Sequence, residues 1–209
     1  MPFDLNAEPA KAIELCRASH VRLAESARRI TDARVRSASR LPGWTIAHVL
    51  THIARSADGH VRRLEGALRG EDVARYPGGP AQREREIAEG SGRSAAEIVA
   101  DLATAQHRLE EAWGRSEAAR WPHAELRADD HWPATASPVR RLREVEVHHV
   151  DLGVGYEPSD WPEDYVAWEL PELLATVPSR LRGRDNEREL VAWLAGRGPV
   201  PTTIELDPW

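Results

Sequence analysis

The chain has 209 residues, of which 41% are hydrophobic and 30% charged, and its formal net charge is −6. A chain of this length can bury a substantial core, as one domain or as one domain with a small appendage. The acidic balance argues against a nucleic-acid-binding protein, which needs a basic excess to neutralise phosphates.

The N-terminal segment favours a cytoplasmic protein. MPFDLNAEPAKAIELC has no basic region followed by an apolar run, so we expect no signal peptide. No stretch approaches 18 consecutive apolar residues, so we expect no membrane-spanning helix. Cys16 is the single cysteine, which excludes an internal disulfide and fits a reducing compartment.

Two helices are predicted before residue 71. From about Asn6 to Arg29, apolar side chains recur at spacings of three, four and seven residues, which is typical of one helical face. Cys16 lies on this face, so a buried hydrophobic role is favoured over that of a catalytic nucleophile. After LPG at 41–43, Thr45 is a suitable N-cap, and the second helix is predicted to end at Gly70.

Two further long helices are predicted after a connection. Residues 71–93 contain YPGGP and EGSG around a short helix-like AQREREIAE, and we interpret them as a connecting excursion. Ser94 followed by Glu97 has the spacing of a capping box and begins the third long helix. The fourth helix is predicted at about 138–152, since Ser137 and the proline after it are typical of a helix start.

These elements predict a mainly α protein. Four amphipathic helices of this length favour a four-helix bundle over residues 1–158. A helical stretch interrupted by Pro171 and Pro178 follows, with a second one at about 186–196. We interpret residues 159–209 as a short C-terminal appendage, because so few residues bury little core.

Potential metal ligands occur in two pairs at i, i+4 spacing. His48 and His52 share one face of the second predicted helix, and Glu144 and His148 share one face of the fourth. Bundles build metal sites from side chains of facing helices, and two imidazoles with one carboxylate leave coordination positions open for catalysis. Asp151 returns to the stripe of Glu144, where a carboxylate can orient a ligand imidazole.

Spacing alone leaves several alternatives open. It does not choose between His48 and His52, and an isolated HxxxH is more often structural than metal-binding. His149 points about 100° away from His148 on a helix, and therefore toward a neighbouring helix or solvent. Arg197, between glycines in LAGRG, is either a solvated loop residue or a clamp for a carboxylate.

Two segments carry a family resemblance. LPGWTIAHVLTHIARSADGHVRRL (41–64) and REVEVHHVDLGVGYEPSDWP (143–162) resemble the mycothiol-dependent maleylpyruvate isomerase family, within the DinB-like metalloenzyme superfamily of four-helix bundles. The resemblance extends over about residues 5–180. It implies a DinB-like bundle that holds a divalent metal, usually zinc.

The resemblance also implies roles for individual residues. The metal ligands are expected to be His52, Glu144 and His148, which leaves His48 in the core or in a supporting position next to the ligands. The family has a C-terminal α/β domain that supplies an essential arginine from an AGRG-like stretch, which LAGRG matches at Arg197. This chain departs from that pattern, because only about fifty residues follow the bundle. By comparison with the family, residues 159–209 are expected to form a short, reduced lid region of α/β or helical structure.

The implied activity is the cis–trans isomerisation of maleylpyruvate to fumarylpyruvate through a mycothiol thiolate adduct. The expected partners are a small electrophilic substrate and a low-molecular-weight thiol, with no nucleic acid and no membrane. A thiol S-transferase on the same scaffold is the first alternative, and a non-catalytic metal-binding module is the second. The sequence has no exposed heptad pattern, so it does not predict an oligomeric state.

Overall fold

The apolar periodicity of the sequence produces helices in the structure. The computed structural model describes residues 4–122, 125–126, 128, 132–202 and 204–207. The chain divides into two compact units, Met1–Tyr165 and Val166–Trp209. No helix in these described ranges is long and apolar enough to cross a membrane.

The described residues of the first unit form four long α-helices and two shorter ones. A short antiparallel pair, β1 (Glu125–Leu126) and β2 (Trp132–Pro133), precedes the last helix. In chain order the helices are α1 (Pro9–Ala27), α2 (Asp32–Val35), α3 (Ile46–Leu68), α4 (Gly79–Ser91), α5 (Ala95–Ala118) and α6 (Ser137–Asp151).

Local sequence signals set the helix ends as predicted. The Thr45 side chain accepts a hydrogen bond from the backbone N–H of His48, which caps α3. Ser94 and Glu97 form the predicted capping box of α5. Gly70 follows α3 with φ of +77°, a conformation that favours glycine.

The core lies between the four long helices. α3 packs against α4, α5 and α6, while α1 packs against α5 and α6. The apolar side chains along one face of α3 are buried in this core: Ile46, Val49, Leu50, Ile53 and Ala57. Because α3 is in contact with three other helices, polar side chains on it can also be enclosed.

The predicted connecting excursion contains a 13-residue helix, α4. This helix packs so closely on α3 at Gly90 that there is no room for a side chain. A Cβ added to Gly90 would lie 2.4 Å from Cγ2 of Thr51. Arg36 holds the C-terminal end of α4 by donating to the carbonyl oxygens of Ser91, Gly92 and Arg93. The excursion is therefore a packed part of the first unit, and its helix is longer than the short helix-like segment predicted from the sequence.

The second unit is mainly helical. It contains most of α7 (Glu163–Arg180) together with α8 (Arg184–Leu194). α7 continues through Pro171 and Pro178, where the sequence predicted interruptions. Each proline removes one backbone donor, which weakens a helix locally without having to end it. Leu181 and Leu206 form an antiparallel β-bridge, which is the only strand-like pairing among the described residues of this unit.

Candidate metal centre

Side chains from α3 and α6 converge inside the first unit. Their candidate ligand atoms, one each from His52, Glu144 and His148, all lie within 4.8 Å of one another. Nε2 of His52 lies 2.8 Å from Oε1 of Glu144 and 3.2 Å from Nε2 of His148. Nε2 of His148 lies 3.9 Å from Oε1 of Glu144. Two residues one turn apart on α6 therefore face one residue of α3.

The chemistry of this donor set fits a divalent metal ion. Two imidazole nitrogens and one carboxylate oxygen suit zinc and other divalent transition metals. Burial lowers the pKa of His52, although a hydrogen bond to Glu144 partly opposes that effect. Burial alone would raise the pKa of Glu144, but His52, His148 and Arg141 together hold it well below its ordinary value. These are the neutral and anionic forms that bind metals.

Asp151 supports one of the imidazoles. Its Oδ2 accepts a hydrogen bond from Nδ1 of His148 at 2.8 Å. A proton held on Nδ1 leaves the lone pair of Nε2 directed at the cluster. This is the geometry by which a carboxylate orients a ligand imidazole.

The other two candidate histidines lie elsewhere. His48 is hydrogen-bonded to the N-cap residue of α3, since its Nδ1 lies 2.7 Å from Oγ1 of Thr45. Its Nε2 lies 3.3 Å from Oγ of Ser91. His149 is buried, its Nε2 lies 2.9 Å from Oγ of Ser26, and its ring stacks on Tyr156 at 3.9 Å. The structure thus brings His52, and not His48, to the two candidate ligands of α6.

Cys16 is enclosed in the core between helices. Its Sγ is completely buried and lies 3.7 Å from Nε2 of His20. Burial raises the pKa of this thiol far above its ordinary value, and the nearby charge of Arg141 offsets only part of the effect. A buried thiol that stays protonated is a poor nucleophile, so the hydrophobic role predicted for it is favoured.

Arg197 belongs to the second unit, whereas the ligand cluster belongs to the first. It is exposed in the turn after α8, and its Nη1 lies 3.3 Å and 3.2 Å from the carbonyl oxygens of Ala195 and Gly196. Its backbone N–H donates to the carbonyl of Ala192 at 2.7 Å. The role as a carboxylate clamp therefore stays a prediction.

The sequence reasoning missed the cationic side of this site. A cavity of about 360 Å³ borders His52 and Glu144, and the residues around α4 provide its opposite wall. Nη2 of Arg83 on α4 lies 3.2 Å from Nδ1 of His52. The signal for α4 was present in the sequence, because Pro80 follows a glycine pair and is typical of a first helical turn.

The packing of α1, α3, α5 and α6 around one core, with two histidines and one glutamate converging from facing helices, is that of a DinB-like helical bundle. The family model for the mycothiol maleylpyruvate isomerase N-terminal domain matches residues 16–153, which is more than half of the chain. The chain therefore belongs to this family, and the resemblance seen in the sequence is confirmed.

Solved structures support the same family. The crystal structure of the mycothiol-dependent maleylpyruvate isomerase is similar with a TM-score of 0.74 and 26% identity, covering 79% of this chain and 69% of that one. A mutant of that enzyme is similar with a TM-score of 0.73 and the same identity and coverage. No curated protein gives a significant match. The mainly α, DinB-like fold predicted from the sequence is thus confirmed.

Proposed function

We propose that this chain is a metal- and thiol-dependent cis–trans isomerase that converts maleylpyruvate to fumarylpyruvate, with mycothiol as the cosubstrate. The observation that carries this proposal is the convergence of His52, Glu144 and His148 beside a cavity, in a member of this family. Three protein ligands leave positions open, which is typical of a catalytic rather than a structural metal.

His52, Glu144 and His148 would hold the divalent ion, for which zinc is the first choice. The ion would supply a Lewis acid that lowers the pKa of a bound thiol, so that thiolate is present near neutral pH. Asp151 keeps the proton of His148 on Nδ1 and so keeps Nε2 available as a ligand.

A thiol from outside the chain is needed for this chemistry. Cys16 is the only cysteine, and it is buried with a raised pKa. A small diffusible thiol such as mycothiol can enter a cavity of about 360 Å³ in part, with its reactive end toward the cluster. A reduced thiol cosubstrate also fits a cytoplasmic location.

The reaction is balanced without any oxidant. The thiolate sulfur adds to the activated double bond of maleylpyruvate, and the electron pair moves to the conjugated ketone oxygen as an enolate. The former double bond is now a single bond and can rotate. When the enolate collapses, the double bond returns in the trans form and the thiolate leaves unchanged. Arg197 is proposed to hold a substrate carboxylate and to stabilise the enolate charge.

The test compares purified wild-type protein and His52→Ala, each with maleylpyruvate in the presence and absence of mycothiol. We expect loss of the cis substrate only with wild type and thiol, and we expect His52→Ala to lose both bound metal and activity. His107→Ala, which removes an exposed histidine on α5, is the matched control and should behave as wild type. Full activity of a metal-free His52→Ala protein would exclude the proposal.

The same assay separates the isomerase from its nearest alternative. A thiol S-transferase shares the metal and the thiolate but retains the thioether as its product. Stable mycothiol adducts with generic electrophiles, together with no turnover of maleylpyruvate, would establish the S-transferase instead. Metal binding without either reaction would indicate the non-catalytic module.

A further inference from the structure

One wall of the cavity beside the candidate metal centre is formed by residues that have no role in the proposed mechanism. The cavity lining includes His52 and Glu144 on the metal side and Arg75, Tyr76 and Arg83 on the other. Glu144 is the only acid among the described lining residues, and it belongs to the metal centre. At about 360 Å³ the cavity has the size of a small-molecule site.

Arg83 is a partly buried cation without a counter-charge. The described groups next to it are the His52 ring, whose Nδ1 lies 3.2 Å from Nη2 of Arg83, and the face of Trp44, with Cζ of Arg83 5.8 Å from the ring centroid. It forms no ion pair with any described residue. Arg55, on the neighbouring helix, is by contrast paired with Asp101 at 2.7 Å.

An unpaired guanidinium in this position points to an anionic ligand. Withdrawing a charge from water costs free energy unless an opposite charge or good hydrogen bonds replace the water. A guanidinium has five N–H donors, and one contact with His52 leaves most of them available. A carboxylate that enters the cavity can accept two of them at once.

Two neighbouring features add to the same preference. The hydroxyl of Tyr76 is buried and has no hydrogen-bond partner among the described residues, so it can donate to an incoming oxygen. The cavity also touches Gly79 and Pro80, the first residues of α4, where the helix dipole is positive and no side chain caps the helix.

We propose that Arg83, supported by Tyr76 and Arg75, binds one carboxylate of the substrate, an assignment that rests on the isomerase function proposed above. Maleylpyruvate has a carboxylate at each end, so a single clamp at Arg197 leaves the second charge without a partner. The metal-side end of the molecule is held by Arg83, and this fixes the double bond next to the cluster. Arg83 is thus a specificity-determining residue for short dicarboxylates.

The test measures the binding of maleate, a cis dicarboxylate without the reactive ketone, to the zinc-loaded protein by titration calorimetry. Arg83→Gln should weaken maleate binding roughly 10- to 100-fold, because a charge-assisted hydrogen-bond pair is lost. Tyr76→Phe should weaken it by a smaller factor. Arg85→Gln, which changes an exposed arginine of the same helix, is the matched control and should bind maleate as wild type does.

Two further measurements separate substrate binding from a merely structural role. Zinc content should stay at the wild-type level in Arg83→Gln, and KM for maleylpyruvate should rise more than kcat falls. If Arg83→Gln loses zinc affinity but binds maleate normally once saturated with zinc, Arg83 only orients His52 and the proposal is wrong. Equal maleate affinity of the two proteins, or no binding by wild type, also overturns it.

The proposed function can fail independently of this subsite. Absence of maleylpyruvate turnover by wild type with mycothiol would reject the isomerase. The maleate titration would still decide whether Arg83 binds a dicarboxylate.

Discussion

Two adjacent histidines of α6 occupy opposite environments, because consecutive helical residues point about 100° apart. His148 faces α3, where its Nε2 lies 3.2 Å from that of His52. His149 faces away and packs on Tyr156 and Ser26. At the residue scale, helical phase alone therefore separates a candidate ligand from a core side chain.

The first prediction compares alanine substitutions of these neighbours. His148→Ala should abolish stoichiometric zinc binding, because only two protein ligands would remain. His149→Ala should keep one zinc per chain but lower the free energy of unfolding by about 1–3 kcal/mol, since a buried, stacked ring is lost. Elemental analysis and urea unfolding measure the two effects. Zinc loss in His149→Ala alone would contradict this division.

The second prediction concerns the carboxylate behind His148. Asp151→Asn keeps the shape of the side chain but removes the charge that holds the proton on Nδ1. We expect zinc affinity to fall roughly 10- to 100-fold, which is typical for the loss of such a supporting carboxylate. Competition with a chromogenic chelator measures the affinity. Asp185→Asn, an exposed change in α8, is the control, and an unchanged affinity in Asp151→Asn would refute the role.

At the element scale, the close contact between α3 and α4 determines the shape of the site. Gly90 lies against Thr51, the residue immediately before His52. Arg83, on the same helix as Gly90, lies against His52 itself. The absence of a side chain at Gly90 permits this close approach of α4 to α3, and α4 brings the cation of Arg83 next to the candidate ligands.

The third prediction follows from that contact. Gly90→Ala should destabilise the protein by about 1–3 kcal/mol, because the new Cβ would lie 2.4 Å from Cγ2 of Thr51. Gly114→Ala in the exposed face of α5, where no atom lies within 4 Å, should be neutral or stabilise by up to about 1 kcal/mol. Thermal unfolding of the two variants checks the difference in sign. A stabilising Gly90→Ala would show that the helices do not need this contact.

At the scale of the whole molecule, the interior encloses polar groups as well as apolar ones. His20 is buried with Nδ1 2.8 Å from Oε1 of Glu110, and Nε of Arg141 donates to its Nε2 at 3.3 Å. His60 is buried with Nδ1 2.9 Å from Oγ of Ser137. These contacts suit neutral imidazoles, so stability depends on their remaining unprotonated.

The fourth prediction is a loss of stability in acid. Burial lowers the pKa of His20 to about 4, against the opposing effect of Glu110, and burial lowers the pKa of His60 well below its ordinary value. Between about pH 6.5 and 4 the unfolded chain therefore binds protons that the folded chain does not, so stability falls as pH falls. His20 alone contributes a loss of about 3 kcal/mol at the end of this range.

Urea unfolding of the metal-free protein at pH 7.5, 6 and 4.5 measures this dependence without interference from metal release. His20→Gln should reduce the slope of the free energy of unfolding against pH. His107→Gln, which changes an exposed histidine, should keep the wild-type slope. A His20→Gln slope identical to that of wild type would show that His20 is not neutral in the folded state.

The sequence by itself determined the helical fold, the positions of the caps and the pairing of Glu144 with His148, because these features depend on periodicity and on contacts within a turn or two. Spacing left His48 and His52 as alternatives, and the family resemblance indicated His52. The tertiary structure shows that His52 faces that pair, since this depends on how α3 packs on α6. It alone also brought Arg83 to the site. That contact depends on the close packing of α4 against α3, which no periodicity of α4 encodes.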